Sequence, residues 1–300
     1  MNTKTLVTLV HVVTAAFIAL SITQMFISVA NADPTIDYYY DALGLAGDDL
    51  KNALHDIIDG HTPLPYTTRN NNFFDGKKMD VWEALLHTDS ACPQGQPRCG
   101  YVWMLYLPEY RHISDRNTGA GLPHNWDREH VWPKSRGFKD EPQDGYTDLH
   151  HLRPADRNIN GTHNNYGYDN GGVPVMDKLE DGSEVDSGAR IDRANNSFEP
   201  TDQAKGQVAR MIFYMAVRYD IGDYNEPEEM PDLYLKDENE RVKEPWIGDL
   251  CTLLEWHSNF PTNEFERRRN NRVEEIQGNR NPFIDNPSWA DSIWGAQCSS

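Results

Sequence analysis

Apolar positions change their spacing several times along the chain, and each change predicts an element. Residues 6–30 are almost continuously apolar, with only Lys4 charged ahead of them, and end in Ala30-Asn31-Ala32 before Asp33-Pro34. A run of that kind with a small-x-small ending predicts a cleaved export signal over residues 1–32. The competing reading is a retained anchor, since the run is near bilayer-spanning length; His11, Thr14, Ser21, Thr23 and Gln24 interrupt it and favour cleavage. In residues 48–59, Leu50, Leu54, Ile57 and Ile58 recur on one helical face after Gly47-Asp48. Residues 101–107 form a dense apolar and aromatic run closed by Pro108, the profile of a buried strand. Residues 111–123 turn polar, with Gly119 and Gly121, and read as a loop.

The second half is more helical. Thr201-Asp202 can cap a helix in which Val208, Met211, Ile212, Met215, Ala216 and Tyr219 repeat at helical spacing. Residues 249–258 place Leu250, Leu253, Leu254 and His257 on one face. Residues 262–277 continue with Phe265, Arg269, Val273 and Ile276 until Gly278 stops them. His257 reads as a packed or surface histidine, and most of Arg267, Arg268, Arg269 and Arg272 as i,i+4 partners of the acids around them, with one or two left to face DNA. Residues 173–197, rich in Asp, Glu and Gly, read as an exposed loop or weak hairpin without the spacing of an EF-hand. No linker, repeat or low-complexity tract divides residues 33–300, so one mixed α+β domain, largely helical, is expected.

Charge narrows the picture. Without residues 1–32 the chain keeps 27 basic and 47 acidic residues, a formal charge of −20. So acidic a surface repels polyanions at long range, and a nucleic-acid substrate then requires a locally balanced cleft. The window 128–163 is balanced, with six basic and six acidic residues. Four cysteines behind an export signal allow disulfides. Cys92 and Cys99 flank a turn containing Pro93, Gly95 and Pro97 and make a local bridge plausible; Cys251 and Cys298 then form the second. Other pairings remain open to the sequence.

Two polar runs carry the candidate chemistry: Asn125-Trp126-Asp127-Arg128-Glu129-His130-Val131-Trp132-Pro133-Lys134, and the stretch from Asp148-Leu149-His150-His151 to Asn160-Gly161. Hydrolysis of a phosphodiester needs an activated water, neutralisation of charge growing on the phosphate, and stabilisation of the leaving oxygen. One hard divalent cation serves the last two and prefers carboxylate and amide oxygens, which Glu129 and Asn160 offer. His130 offers a base titrating near neutral pH. As a strand neighbour of Glu129 it points to the opposite face unless the strand ends there, and Pro133 makes an ending plausible. Pro154 suits the first turn of a following helix and Gly161 its end, with Asn160 in the last turn.

These segments, with Ala209-Arg210-Met211-Ile212-Phe213-Tyr214-Met215-Ala216 and Gln277-Gly278-Asn279-Arg280-Asn281-Pro282-Phe283-Ile284-Asp285, resemble the bacterial secreted or periplasmic endonuclease I family, which belongs to the ββα-metal, or His-Me finger, nucleases. The resemblance implies an α+β domain around a ββα-metal core. It makes His130 the general base, and Glu129 and Asn160 the ligands of one Mg2+, with Mn2+ or Ca2+ as substitutes. It further implies a secreted or periplasmic monomer cutting DNA, and often RNA, without sequence preference to leave 5′-phosphate ends. Two departures stand out. His163 occupies the position, three after the ligand asparagine, where members commonly carry arginine. The insertion that supplies a phosphate-binding arginine in periplasmic members is short here, so Arg136, Arg153 and Arg157 are the candidates for that role.

Two other functions compete. A catalytically silent nucleic-acid-binding protein on the same scaffold is opposed by the charge of −20, since binding alone needs a broad basic surface. A zinc hydrolase using the histidines is opposed by the absence of an H-E-x-x-H pair from the sequence.

Overall fold

The computed structural model describes residues 34–68, 79–91, 100–119, 121–220 and 230–299. The expected export signal and the expected bridge between Cys92 and Cys99 lie outside them. The first elements are α1 (Pro34–Tyr38) and α2 (Gly47–Ile58), and in α2 Leu50, Leu54 and Ile58 are fully buried, as their spacing requires. The next helix, α3 (Val81–Thr88), starts at Asp80, whose carboxylate accepts the Glu83 N–H at 3.2 Å and caps it.

Only the start of the run 101–107 is strand. β1 (Tyr101–Trp103) pairs antiparallel with β2 (Tyr110–His112), while residues 104–107 stay buried but leave the ladder. Their amides find other carbonyls: Met104 N–H donates to Glu109 at 3.0 Å and Leu105 N–H to Pro154 at 2.9 Å. The expected loop from residue 111 begins inside β2 and continues as a 3-10 turn, Ile113–Asp115.

β3 (Trp126–His130) and β4 (Leu152–Asp156) pair antiparallel, with Glu129 opposite Arg153 and His130 opposite Leu152, and β4 runs directly into α4 (Arg157–His163). Pro154 therefore lies in the strand rather than in the first helical turn, and Gly161 inside the helix rather than at its end. The helix start is set by Asp156, whose carboxylate accepts the N–H groups of Asn158 and Ile159 at 2.8 and 3.0 Å. Proline is tolerated in β4 because both strands of a two-stranded sheet are edges. Asn164 ends α4 at φ 54°, a left-handed value that asparagine tolerates better than most residues.

Residues 173–192 form a hairpin whose register shifts between Pro174 and Met176, and residue 197 begins the next strand. β5 (Gly167–Tyr168), β6 (Val173–Lys178), β7 (Glu184–Asp192) and β8 (Ser197–Glu199) form one sheet in the order β5-β8-β7-β6. α5 (Asp202–Arg218) is buried along almost its whole length, although Thr201 makes no side-chain capping bond. β9 (Tyr234–Leu235) and β10 (Trp246–Ile247) pair in parallel. The remaining helices are α6 (Leu250–Asn259), α7 (Glu264–Gln277), α8 (Pro282–Asp285) and α9 (Trp289–Cys298). The Cys251–Cys298 disulfide ties α6 to the end of α9 across 5.5 Å between Cα atoms. His257 is packed as expected, its Nε2 2.8 Å from the Pro287 carbonyl.

The arginines of α7 are not i,i+4 partners. Arg269 donates to Asp89 and to the carbonyls of Leu149 and Leu152, and Arg272 to the His87 carbonyl and Ser90 Oγ. Buried oxygens that would otherwise lose water outcompete a solvent-screened pair on the helix surface. The main hydrophobic cluster extends from Tyr39 through Trp126, Trp132 and α5 to Trp294, and β3 lies at its edge. Among the described residues no helix is long and apolar enough to cross a membrane.

Candidate active site

β3 ends at His130, so the alternation that would separate neighbouring side chains ends with it. Glu129 and His130 consequently line one cleft of about 370 Å³, together with Asn160 and Asn164 of the α4 region and with Tyr66, Arg128, Lys134 and Ser135.

Glu129 is 3 % exposed. Its Oε1 accepts two hydrogen bonds, from Tyr106 Oη at 2.7 Å and from His163 Nδ1 at 2.7 Å. Its Oε2 has no partner among the described residues, and neither does the carboxamide of Asn160. A buried carboxylate oxygen and an amide oxygen facing one cleft are the hard donors that a magnesium-like cation prefers, with water and substrate oxygens completing the shell. The donor set fits such an ion.

His130 is held by a different device. Its Nε2 lies 2.9 Å from the Tyr146 carbonyl, and because a carbonyl only accepts, that nitrogen carries the proton and Nδ1 keeps its lone pair. His151 Nε2 meets the adjacent Gly145 carbonyl at 2.7 Å, so two imidazoles grip successive carbonyls of the turn Asp144–Tyr146. Burial, and then the neighbouring His151, push the His130 pKa well below the usual imidazole value. The ring is neutral at pH 7, and its titration falls below the pH 6 to 7 that an exposed histidine gives.

Comparison with known proteins decides the kinship. The sequence profile of the family described as Endonuclease I matches residues 46–288. The chain belongs to the endonuclease I family. An extracellular ribonuclease of Bacillus amyloliquefaciens is 41% identical over 261 residues, covering 87% of this chain and 78% of that protein. The extracellular ribonuclease of Bacillus subtilis (strain 168) is 42% identical over 262 residues, covering 87% and 79%. An extracellular deoxyribonuclease of Aeromonas hydrophila is 26% identical over 239 residues, covering 78% and 86%.

In this endonuclease I family member the three candidate arginines take different places. Arg136 is fully buried and donates to the carbonyls of Asn165, Trp246 and Glu240. Arg153 is fully buried against Asp89 and Gln207. Neither is brought to the cleft, because carbonyls and a carboxylate in the interior already engage their guanidinium groups. Arg157, at the start of α4, is half-buried beside Gly121. The cations that do line the cleft are Arg128 and Lys134. Arg128 is stacked on the rings of Tyr66 and Trp82, 3.4 and 4.2 Å from their centroids, and donates to Tyr66 O and, at 3.0 Å, to Thr67 Oγ1. Lys134 is exposed, with Nζ 2.7 Å from Tyr146 Oη. Sequence reasoning passed over both, although they stand inside the first polar run. Tyr106 was legible only as part of a buried run.

The remaining histidines are committed to the protein. His150 Nε2 faces the Asn279 carbonyl at 3.1 Å, His163 Nδ1 faces Glu129, and His124 Nε2 lies 3.4 Å from Glu180. The His/Cys/Asp/Glu group close enough to hold a metal among the described residues is Asp237 with Cys251 and Cys298, and those two cysteines form the disulfide.

Proposed function

We propose that the protein is a secreted, sequence-non-specific endonuclease that hydrolyses phosphodiester bonds of DNA and RNA with one divalent cation, leaving 5′-phosphate ends. The observation that carries the reading is the set of atoms around one cleft that have no protein partner among the described residues: Glu129 Oε2, the Asn160 carboxamide and His130 Nδ1. The antiparallel strands β3 and β4 followed by α4 support the reading of this segment as a ββα-metal core. Glu129 and Asn160 hold the cation, which when bound neutralises charge on the phosphate and on the leaving oxygen. His130 takes the proton of the attacking water at Nδ1, while its Nε2–H stays on the Tyr146 carbonyl and fixes the tautomer. Lys134 and Arg128 offer positive charge to the nucleic-acid backbone from the cleft wall. The extracellular ribonucleases and deoxyribonuclease among its relatives support both substrates and export.

A plasmid-nicking assay and a parallel RNA assay, each with EDTA and with magnesium or zinc added back, test the proposal. Magnesium should restore cleavage that EDTA abolishes. Cleavage unaffected by EDTA, or restored by zinc alone, would overturn it. A protein carrying so much negative charge should also need or tolerate substantial salt, because screening of the repulsion opposes the usual loss of phosphate contacts. At fixed magnesium, a rate that only falls as salt is added contradicts that expectation.

A further inference from the structure

Resting on the reading of Glu129 as a metal ligand, we propose that Tyr106 and His163 are positioning residues that jointly occupy one oxygen of Glu129 and so commit the other to the cation. Both contacts fall on Oε1, at 2.7 Å each. An ionised carboxylate only accepts, so both neighbours donate, and His163 carries its proton on Nδ1. Oε2 is the oxygen left to face the cleft.

His163 bears a cost that packing alone does not explain. The ring is fully buried, stacked on Tyr168 at 4.9 Å and 5.0 Å from Phe198, and its Nε2 has no hydrogen-bond partner among the described residues. An apolar side chain would fill that box without burying an unsatisfied nitrogen, which is destabilising. What the imidazole gains is the bond to Glu129. The other donor sits beside a second hydroxyl: Tyr106 Oη lies 2.9 Å from Tyr168 Oη, whose single proton serves either Tyr106 or, at 2.9 Å, the carbonyl of Val131, so the Tyr106 proton remains committed to Glu129. α4 carries both Asn160 and His163, three residues apart and hence on neighbouring faces, so the helix that delivers the amide also steadies the carboxylate.

The test is Mn2+ binding to the purified protein without nucleic acid, read from the free-Mn2+ paramagnetic resonance signal. Partners that orient a ligand typically contribute 10- to 100-fold in metal affinity, so Tyr106→Phe and His163→Leu should each weaken Mn2+ binding about tenfold. His163→Asn, which returns an N–H donor near the Nδ1 position, should recover most of the loss. Glu129→Ala should weaken binding well beyond either of them. If Glu129→Ala weakens it strongly while Tyr106→Phe and His163→Leu bind like the parent, the positioning role is overturned and the metal reading stands. If Glu129→Ala binds like the parent, the metal reading itself fails. Failure of His163→Asn to recover binding assigns His163 to packing and overturns its part. Tyr106→Phe keeps the ring and its contacts, and it decides the matter if His163→Leu does not fold.

Discussion

The two polar runs of this chain read alike as sequence and differ in how their atoms are engaged. In the second run Asp148 is fully buried, with Oδ1 accepting the His150 N–H and the Gln277 amide, and Oδ2 accepting the hydroxyls of Tyr214 and Tyr219. Arg153 and His150 are similarly committed to oxygens of the interior. In the first run Glu129 and His130 each keep one atom without a protein partner among the described residues, beside a cleft. Density of polar residues therefore marks both a stabilising layer and a reaction site, and the difference lies in which atoms remain open to a ligand.

The largest effect expected from breaking this contrast is at His130. General-base catalysis contributes about 10² to 10⁴ in rate, roughly 3 to 5 kcal/mol, so His130→Ala should lose turnover on that scale while magnesium and DNA binding persist. Near-parental turnover of that variant in saturating magnesium defeats the assignment. Glu129→Ala and Asn160→Ala should differ from it by partial recovery at raised magnesium, measured as a shift of the metal activation curve.

Asp148→Ala should act on stability. It leaves two tyrosine hydroxyls, the His150 N–H and the Gln277 amide without this acceptor, at a cost of about 3–5 kcal/mol by urea unfolding, with the turnover of the folded fraction near parental. A variant with parental stability and no activity would move Asp148 into the reaction site instead.

The same layer sets an acid limit. Burial pushes His150 and His151 down to about 4, against an ordinary value of 6.5. Between those values the unfolded chain binds protons that the folded one refuses, so stability is complete above pH 6.5 and is lost as pH falls toward 4, by up to about 3 kcal/mol for each ring. Asp148 adds to the loss at still lower pH, because His61, His150 and His151 overcome the effect of burial and hold its carboxyl well below the usual carboxylate range. Urea midpoints that stay level from pH 7.5 to 4.5 would contradict this. The smallest effect is expected at Lys134, where alanine should raise KM several-fold, about 1 kcal/mol, and reduce the salt dependence by about one counterion with kcat little changed.

The helices with an apolar face of regular period, α2, α5 and α6, were legible because burial alone dictates that period. Glu129, His130 and Asn160 were legible from motif chemistry, and the structure brings them to one cleft. The helix start at Asp156 was hidden behind Pro154, a stronger punctuation mark on paper than the cap is. The fates of Arg136, Arg153 and the α7 arginines depend on carbonyls and carboxylates far away in sequence, and no local pattern reports which distant oxygens will need a donor. Arg128 and Lys134 stand on either side of Glu129 and His130, and nothing local in so mixed a run tells which cation will face the cleft.

The hold of α7 on β4 has a consequence for synthesis. Arg269 donates to the carbonyls of Leu149 and Leu152 at 2.7 Å each, and Gln277 to Asp148 at 2.9 Å. A ribosome extends the chain from its N-terminus, so both polar runs emerge more than a hundred residues before these donors do. Until then the Leu149 and Leu152 carbonyls lack Arg269 and the Asp148 carboxylate lacks Gln277, so a chain broken off before Glu264 holds Glu129, His130 and Asn160 beside a polar layer that is still incomplete.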